Sequence, residues 1–269
     1  TPTAAARHDA ALTSATVQQR QDTFTITVSD AHGGTATATA TATVTPKNVN
    51  PTATPAVGAP NTAGVVNGTV GAADAEGDTL TYNVTAKPTK GTVTVNPDGT
   101  FTYVPTAAAQ HAASADKATT AQKQDTFAVT VDDAHGGTVS VTITTPIKPK
   151  NTSPAAAPTA TNPSPTTGAV SGSVGGSDSD NDRLSYAVTT APTKGTVKLN
   201  NNGTFTYTPS KSALAAASSP TATPAQKQDT FSVAVSDGHG GTTLITYTVP
   251  LIANGTVVIV VSPATPVVT

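Results

Sequence analysis

The 269-residue chain has no cysteine, no methionine and no tryptophan, and aromatic residues make up 4% of it. Absence of cysteine removes disulfides, thiolate metal sites and thiol catalysis together. Absence of tryptophan, with only five tyrosines, leaves little material for an exposed aromatic platform of the kind that stacks on sugars. Charge is also scarce: 11% of residues are charged, where about 25% is ordinary. Fourteen basic and sixteen acidic side chains leave a net charge of −2 with no basic cluster, which argues against nucleic acid or an anionic lipid surface as partner. No apolar run approaches the roughly 18 residues of a membrane span; the longest, Val257 to Val261, has the length of a strand. A chain that begins at Thr1 without methionine is expected to be a processed or truncated product, and it carries no readable signal segment.

What the chain has is repetition. Asp-Thr-Phe begins at Asp22, Asp125 and Asp229, and each time an Asp-x-His-Gly-Gly turn follows, ending at Gly34, Gly137 and Gly241. A second marker, Lys-Gly-Thr-Val, begins at Lys90 and Lys194. A spacing slightly above 100 residues exceeds a solenoid unit and matches one autonomous sandwich domain.

Within the repeat, Leu80, Tyr82 and Val84 alternate with polar residues, and Phe127, Val129 and Val131 with small or polar ones, which is the pattern of half-buried strands. Reading from residue 50 gives seven strands, lettered A to G, near 55–58, 64–72, 79–85, 91–95, 100–104, 125–131 and 138–145. The turns Asn96 to Gly99 and Asn200 to Gly203 read as D–E hairpins with glycine at positive φ. The alanine-rich segment 106–115 predicts a helix of two or three turns in the E–F connection, with Pro105 at its first position; Pro220 and Pro224 weaken its counterpart in the third repeat.

The expected fold class is therefore all-β, a linear array of tandem seven-stranded Ig-like β-sandwiches with a short helical E–F insertion. Proline-rich junctions at 46–51 and 148–154 place the modules at 47–150 and 151–253, preceded by the C-terminal half of a repeat at 1–46 and followed at 254–269 by an extra strand or the start of a further segment. Half a sandwich would leave Phe24, Ile26 and Val28 facing water, so its missing strands are expected upstream in a longer chain or from another subunit.

In a seven-strand sandwich the B–C, D–E and F–G loops emerge at one end with the start of strand A. That end is acidic: Asp74, Glu76 and Asp78 in B–C, Asp98 in D–E, Asp132 and Asp133 in F–G, with Asn48 and Asn50 arriving from the linker. The next repeat offers Asp178, Asp180, Asp182 and Asp237, with Asn151. Calcium takes six to eight oxygen ligands of these kinds. Aspartate and asparagine are equally the ordinary residues of turns. An EF-hand is excluded, because Arg183 and Thr189 stand where its glycine and glutamate belong.

His32, His135 and His239 sit in the F–G turn, one per repeat, and read as turn-packing residues. Ser29 with Asp30 and Ser236 with Asp237 make no triad with them, since neighbours in a turn lack the geometry. No nucleophile elbow, P-loop or dinucleotide fingerprint occurs, so no enzyme is expected. Sequons at Asn67, Asn83, Asn151, Asn202 and Asn254 read first as turns.

The ordered landmarks Asp74 to Tyr82, Pro88 to Val93, Asp98 to Pro105, Asp125 to Phe127 and Asp133 to Gly137 resemble the bacterial Ig-like and cadherin-like tandem repeats of large surface adhesins, the VCBS-like group. The resemblance implies a secreted or cell-surface stalk stiffened by calcium at its junctions. Carried over by position, the implied ligands are Asp74, Glu76, Asp78 and Asp133, then Asp178, Asp180, Asp182 and Asp237. The linkers carry asparagine where cadherin linkers carry aspartate, so the ion is expected within one module. The long E–F segment is expected against the following module, as a spacer made of protein.

The expected function is an extracellular spacer whose partners are neighbouring repeats and, in a filament, further copies of itself. One alternative is assembly by strand exchange, with the tail 256–261 as donor. Another is a carbohydrate- or receptor-binding adhesin, against which Tyr82, Tyr103, Tyr186 and Tyr207 fall at core positions.

Overall fold

The computed structural model describes residues 1–252 and 255–262. The sequon at Asn254 and the last seven residues of the tail lie outside the described residues. The chain divides into two compact units, Thr1–Ala109 with Thr120–Lys148, and Gln110–Thr119 with Pro149–Thr269.

The first unit opens with helix α1 (Ala4–Asp9) and the hairpin β1 (Gln21–Ser29) and β2 (Thr35–Thr43). It continues with β3 (Thr52–Ala53), β4 (Ala56–Val57), β5 (Val66–Thr69), β6 (Ala72–Ala73), β7 (Thr81–Ala86), β8 (Gly91–Val95) and β9 (Thr100–Pro105). After helix α2 (Ala107–Ser114) come β10 (Gln124–Asp132) and β11 (Thr138–Pro146). One sheet runs β4-β5-β9-β8 and the facing one β11-β10-β7.

Strands A and B, each expected as one piece, are broken. The upper halves pair as β3 with β6, the lower as β4 with β5. Pro55 withholds an amide from strand A, and Gly71 turns strand B at φ +61°, where a side chain would collide with the Thr54 carbonyl. Each broken strand thereby serves two pairings.

The second unit repeats the plan with β12 (Ala155–Ala156), β13 (Thr159–Ala160), β14 (Val170–Ser173), β15 (Gly176–Ser177), β16 (Ser185–Thr190), β17 (Gly195–Leu199), β18 (Thr204–Pro209), α3 (Lys211–Ala217), β19 (Gln228–Ser236), β20 (Thr242–Pro250) and β21 (Val258–Ser262). Its sheets run β13-β14-β18-β17 and β16-β19-β20-β21. The tail, weighed as a donor to another chain, pairs antiparallel with β20 of its own chain, Tyr247 opposite Ile259. Ile259 and Val257 gain cover there against the core, which is the physical reason for its docking at home.

The two cores are built alike. Phe101 meets Phe127 edge to face at 5.3 Å, and Phe205 meets Phe231 at the same distance. Tyr103 and Tyr207, fully buried, each donate a 2.9 Å hydrogen bond to Asp125 and Asp229. Asp125 also accepts from the amides of Thr89, Lys90 and Thr126. Burial works to raise its pKa, but these donors outweigh it and hold the carboxyl below its ordinary value. The aspartate of the Asp-Thr-Phe signature is thus a structural tie between the sheets. The glycine of Lys-Gly-Thr-Val has a matching reason: a Cβ on Gly91 would stand 2.7 Å from the Tyr103 ring.

Helix α2 occupies the predicted E–F position, but Pro105 ends β9 and does not open the helix; Thr106 caps it through Ala109 N at 3.1 Å. In the third repeat the prolines do not erode α3, which ends before Pro220. Pro224 instead opens a 3-10 turn (Pro224–Lys227) with a reciprocal Thr223–Gln226 capping box.

Candidate metal centre

Within the first unit the B–C loop folds on itself because Asp74 Oδ1 accepts from the amides of Glu76 at 2.7 Å and Asp78 at 3.3 Å. The F–G turn does the same. Asp133 Oδ1 accepts from His135 N at 2.8 Å and Gly137 N at 2.9 Å, while Ala134 takes the left-handed conformation at φ +62°. These aspartates spend one oxygen on their own turns and turn the other inward. The result brings Asp74, Asp78 and Asp133 together, with one oxygen of each within 4.8 Å of the others.

Asn48, from the linker, donates to Asp133 Oδ2 at 2.7 Å. Its own Oδ1, and Asp74 Oδ2, are buried without a hydrogen-bond partner. Burying an unpaired carboxylate oxygen is costly, and a group that accepts oxygen lone pairs would satisfy both atoms. Gly137 leaves the space for it: a Cβ there would stand 2.7 Å from Asn48 Nδ2 and 2.9 Å from Asn50 Oδ1. Burial of Asp133 favours its neutral form, but bonds from Asn48, His135 and Gly137 outweigh this and keep its pKa low. The donor set is all oxygen, three carboxylates with one neutral amide, the chemistry of a hard cation.

The second unit repeats the arrangement. Asp178, Asp182 and Asp237 converge; Asn151 donates to Asp237 Oδ2 at 2.7 Å; and Asn151 Oδ1 and Asp178 Oδ2 are buried without partners.

Of the eight expected ligands, six fall into these two groups. The other two, Glu76 and Asp180, use an oxygen to accept the linker amides of Val49 and Thr152, both at 2.8 Å. The Thr152 amide keeps the Asp180 pKa low. Asp98 joins neither group, being locked into its hairpin by Thr100 N at 2.9 Å and Thr100 Oγ1 at 2.6 Å. That turn is held by the ordinary side-chain chemistry of aspartate.

Two residues of this end escaped the sequence reading. His8, on α1, places Nε2 3.0 Å from Asp78 Oδ2 and stacks on His135 with ring centroids 4.0 Å apart. His111 does the same with Asp182, at 3.0 Å, and His239, at 4.2 Å. Burial alone would lower the His8 pKa; its hydrogen bond to Asp78, with the charges of Asp78, Glu76 and Asp9, raises it above the ordinary value. His135 and His239 are therefore more than turn fillers, although the turn does hold them through their Nδ1 contacts with the carbonyls of Asp133 and Asp237. The signal was available: His8 and His111 are separated by the same interval as Asp22 and Asp125.

Repeated β-sandwiches of Ig-like plan, each with an acidic, oxygen-lined pole, define a class of tandem modular protein. The family profile described as "Bacterial cadherin-like domain" matches residues 48–149 and 151–254. The chain belongs to that family. No curated protein matches it. Among solved structures, a Ca2+-stabilized adhesin that helps an Antarctic bacterium reach out and bind ice is 21% identical, covering 87% of this chain and 57% of that one, with a TM-score of 0.36. Cadherin domains 3–6 of protocadherin gamma B2 are 11% identical over 86% and 57% of the two chains, with a TM-score of 0.30. An endo-fucoidan hydrolase of glycoside hydrolase family 107 is 18% identical over 87% and 34%, with a TM-score of 0.25. The chain thus spans between a third and three-fifths of these structures, and likenesses this loose carry no functional argument.

Proposed function

We propose that the chain is an extracellular, non-enzymatic spacer from a bacterial surface adhesin, with modules at 47–150 and 151–253, and that the acidic pole of each module holds calcium. The observation that carries the reading is the pair of buried, partnerless oxygens in each unit, on Asn48 and Asp74 and again on Asn151 and Asp178. Asp74, Asp78, Asp133 and Asn48 would hold the ion in one module, and Asp178, Asp182, Asp237 and Asn151 in the other. Bound there, calcium supplies positive charge that cancels the mutual repulsion of the carboxylates.

The protein's own part is to tie three segments together at that point. Asp133 fixes the F–G turn, Asp74 fixes the B–C loop, and Asn48 and the Glu76–Val49 bond fix the linker. A loop end braced in this way resists hinge motion, which is what a stalk at the cell surface requires. The test is the melting temperature and the solution scattering profile of the chain in calcium and in chelator. A higher melting temperature and a longer particle in calcium are expected; identical behaviour in both refutes the reading.

A further inference from the structure

The histidine pairs lie beside the oxygen cluster without belonging to it. Asp78 Oδ2 stands 3.0 Å from His8 Nε2 and 3.1 Å from His135 Nδ1. In the other unit Asp182 Oδ2 stands 3.0 Å from His111 Nε2 and 3.1 Å from His239 Nδ1. The corresponding alanine-rich stretches of two repeats thus deliver the same nitrogen to the equivalent carboxylate in the same geometry. The side chains are mostly enclosed, at 8% exposure for both aspartates and between 12% and 26% for the four histidines.

We propose that His8, Asp78 and His135, and likewise His111, Asp182 and His239, form a second kind of cation site, one per unit, that takes a borderline divalent ion of the zinc class. Each set offers two imidazole nitrogens and one carboxylate oxygen, all within 4.8 Å of one another. A tetrahedral ion about 2.0–2.1 Å from its ligands sets them about 3.3 Å apart, close to the spacings that the shared carboxylate oxygen already keeps. Three protein ligands leave the fourth position for water. Imidazole nitrogen selects this class of ion, whereas calcium prefers the oxygen cluster next door.

In the metal-free arrangement, protons stand where the ion would be. Two imidazoles stacked 4.0 and 4.2 Å apart, with planes 16° and 23° from parallel, share one acceptor oxygen and repel if both are charged. Binding requires each ring to present a bare nitrogen, the proton moving to the other ring nitrogen or to solvent; His135 and His239 also give up their Nδ1 contacts with the Asp133 and Asp237 carbonyls and tilt about χ2 toward the common point. The consequence is a clip. His8 is carried by α1, after which Thr13 donates to the Ala134 carbonyl through N at 2.9 Å and Oγ1 at 3.1 Å; His111 is carried by residues 110–119, where Asp116 N donates to the Gly238 carbonyl at 2.9 Å.

His32 supplies an internal control. Its Nδ1 makes the same turn contact with the Asp30 carbonyl at 2.9 Å, but its imidazole is exposed, and among the described residues it belongs to no such cluster.

The experiment uses the full chain stripped of metal, saturated with calcium, then titrated with zinc chloride and, separately, with cobalt(II) chloride. The wild type is expected to take up one zinc per unit and to show the visible d–d absorption of tetrahedral cobalt. In the double variant His8→Asn with His111→Asn both signals are expected to vanish, while the calcium-induced melting shift persists; His32→Asn is expected to change neither. Zinc uptake that is absent in the wild type, or equal in the double variant, overturns the proposal. The calcium reading is scored separately by the melting shift, so either can fail alone.

Discussion

The hairpins β1–β2 and β10–β11 carry the same instruction and meet different surroundings. Both begin with Asp-Thr-Phe, both pair in the same nine-residue antiparallel register, and both end in the same glycine turn. Yet Phe24, Ile26 and Val28 are 50%, 46% and 64% exposed, whereas Phe127, Val129 and Val131 are at most 1% exposed. The backbone pairing is therefore a local property of the sequence, and burial of the apolar face is not. Burial is supplied by other parts of the repeat, among them Val70 between β5 and β6 and Phe101 on β9. The same contrast governs chemistry: His32 and His135 sit in equivalent turns, and only the second has a carboxylate and another imidazole upon it.

The largest expected effect follows from the core. Phe127→Ala or Phe231→Ala is expected to cost about 3–5 kcal/mol, and Phe24→Ala less than about 0.5 kcal/mol, measured by urea unfolding of the full chain. A comparable loss at Phe24 would break the comparison, because it would mean that something covers the first hairpin in solution.

Next comes the sheet tie. Asp125 and Asp229 have lowered pKa values, so the stability they add is present above the ordinary carboxylate range and is lost as pH falls through their folded values. Tyr103→Phe, which removes one of the donors, is expected to cost about 1–2 kcal/mol near neutrality and to flatten the acid limb of stability against pH. An unchanged acid limb would show that the carboxylate owes its state to the backbone donors alone.

The smallest effect lies in the turns. Ala31 and Ala134 sit at φ +60° and +62°, where the third repeat has Gly238 at +75°. Ala134→Gly is expected to stabilise by about 0.5–1 kcal/mol, since the left-handed conformation strains a side chain by about that much or more. Ala31→Gly relieves the same strain in a hairpin without a sandwich around it. Melting curves of the two variants that shift alike would confirm that this strain is local.

Strand positions, the D–E hairpins and the helical insertion were legible from alternation, glycine placement and alanine content, because these features are local. The acidic pole was legible because repeats place Asp74, Asp78 and Asp133 at loops that emerge together. The splitting of strands A and B was not, since it turns on Pro55 and Gly71 acting across the chain on two-residue pairings too short to show a period. His8 and His111 were overlooked because an isolated histidine in an alanine-rich stretch gives no chemistry until a distant carboxylate meets it. Only their common interval with the other repeat markers pointed to them.

The most direct measurement is a calcium titration by calorimetry of the metal-stripped chain beside Asp133→Asn and Asp237→Asn, each of which removes a carboxylate from one pole. Saturable binding in the wild type, with the signal of one pole lost in each variant and both lost in the double variant, is the predicted result. Binding that is absent in the wild type, or unchanged in the double variant, contradicts the account.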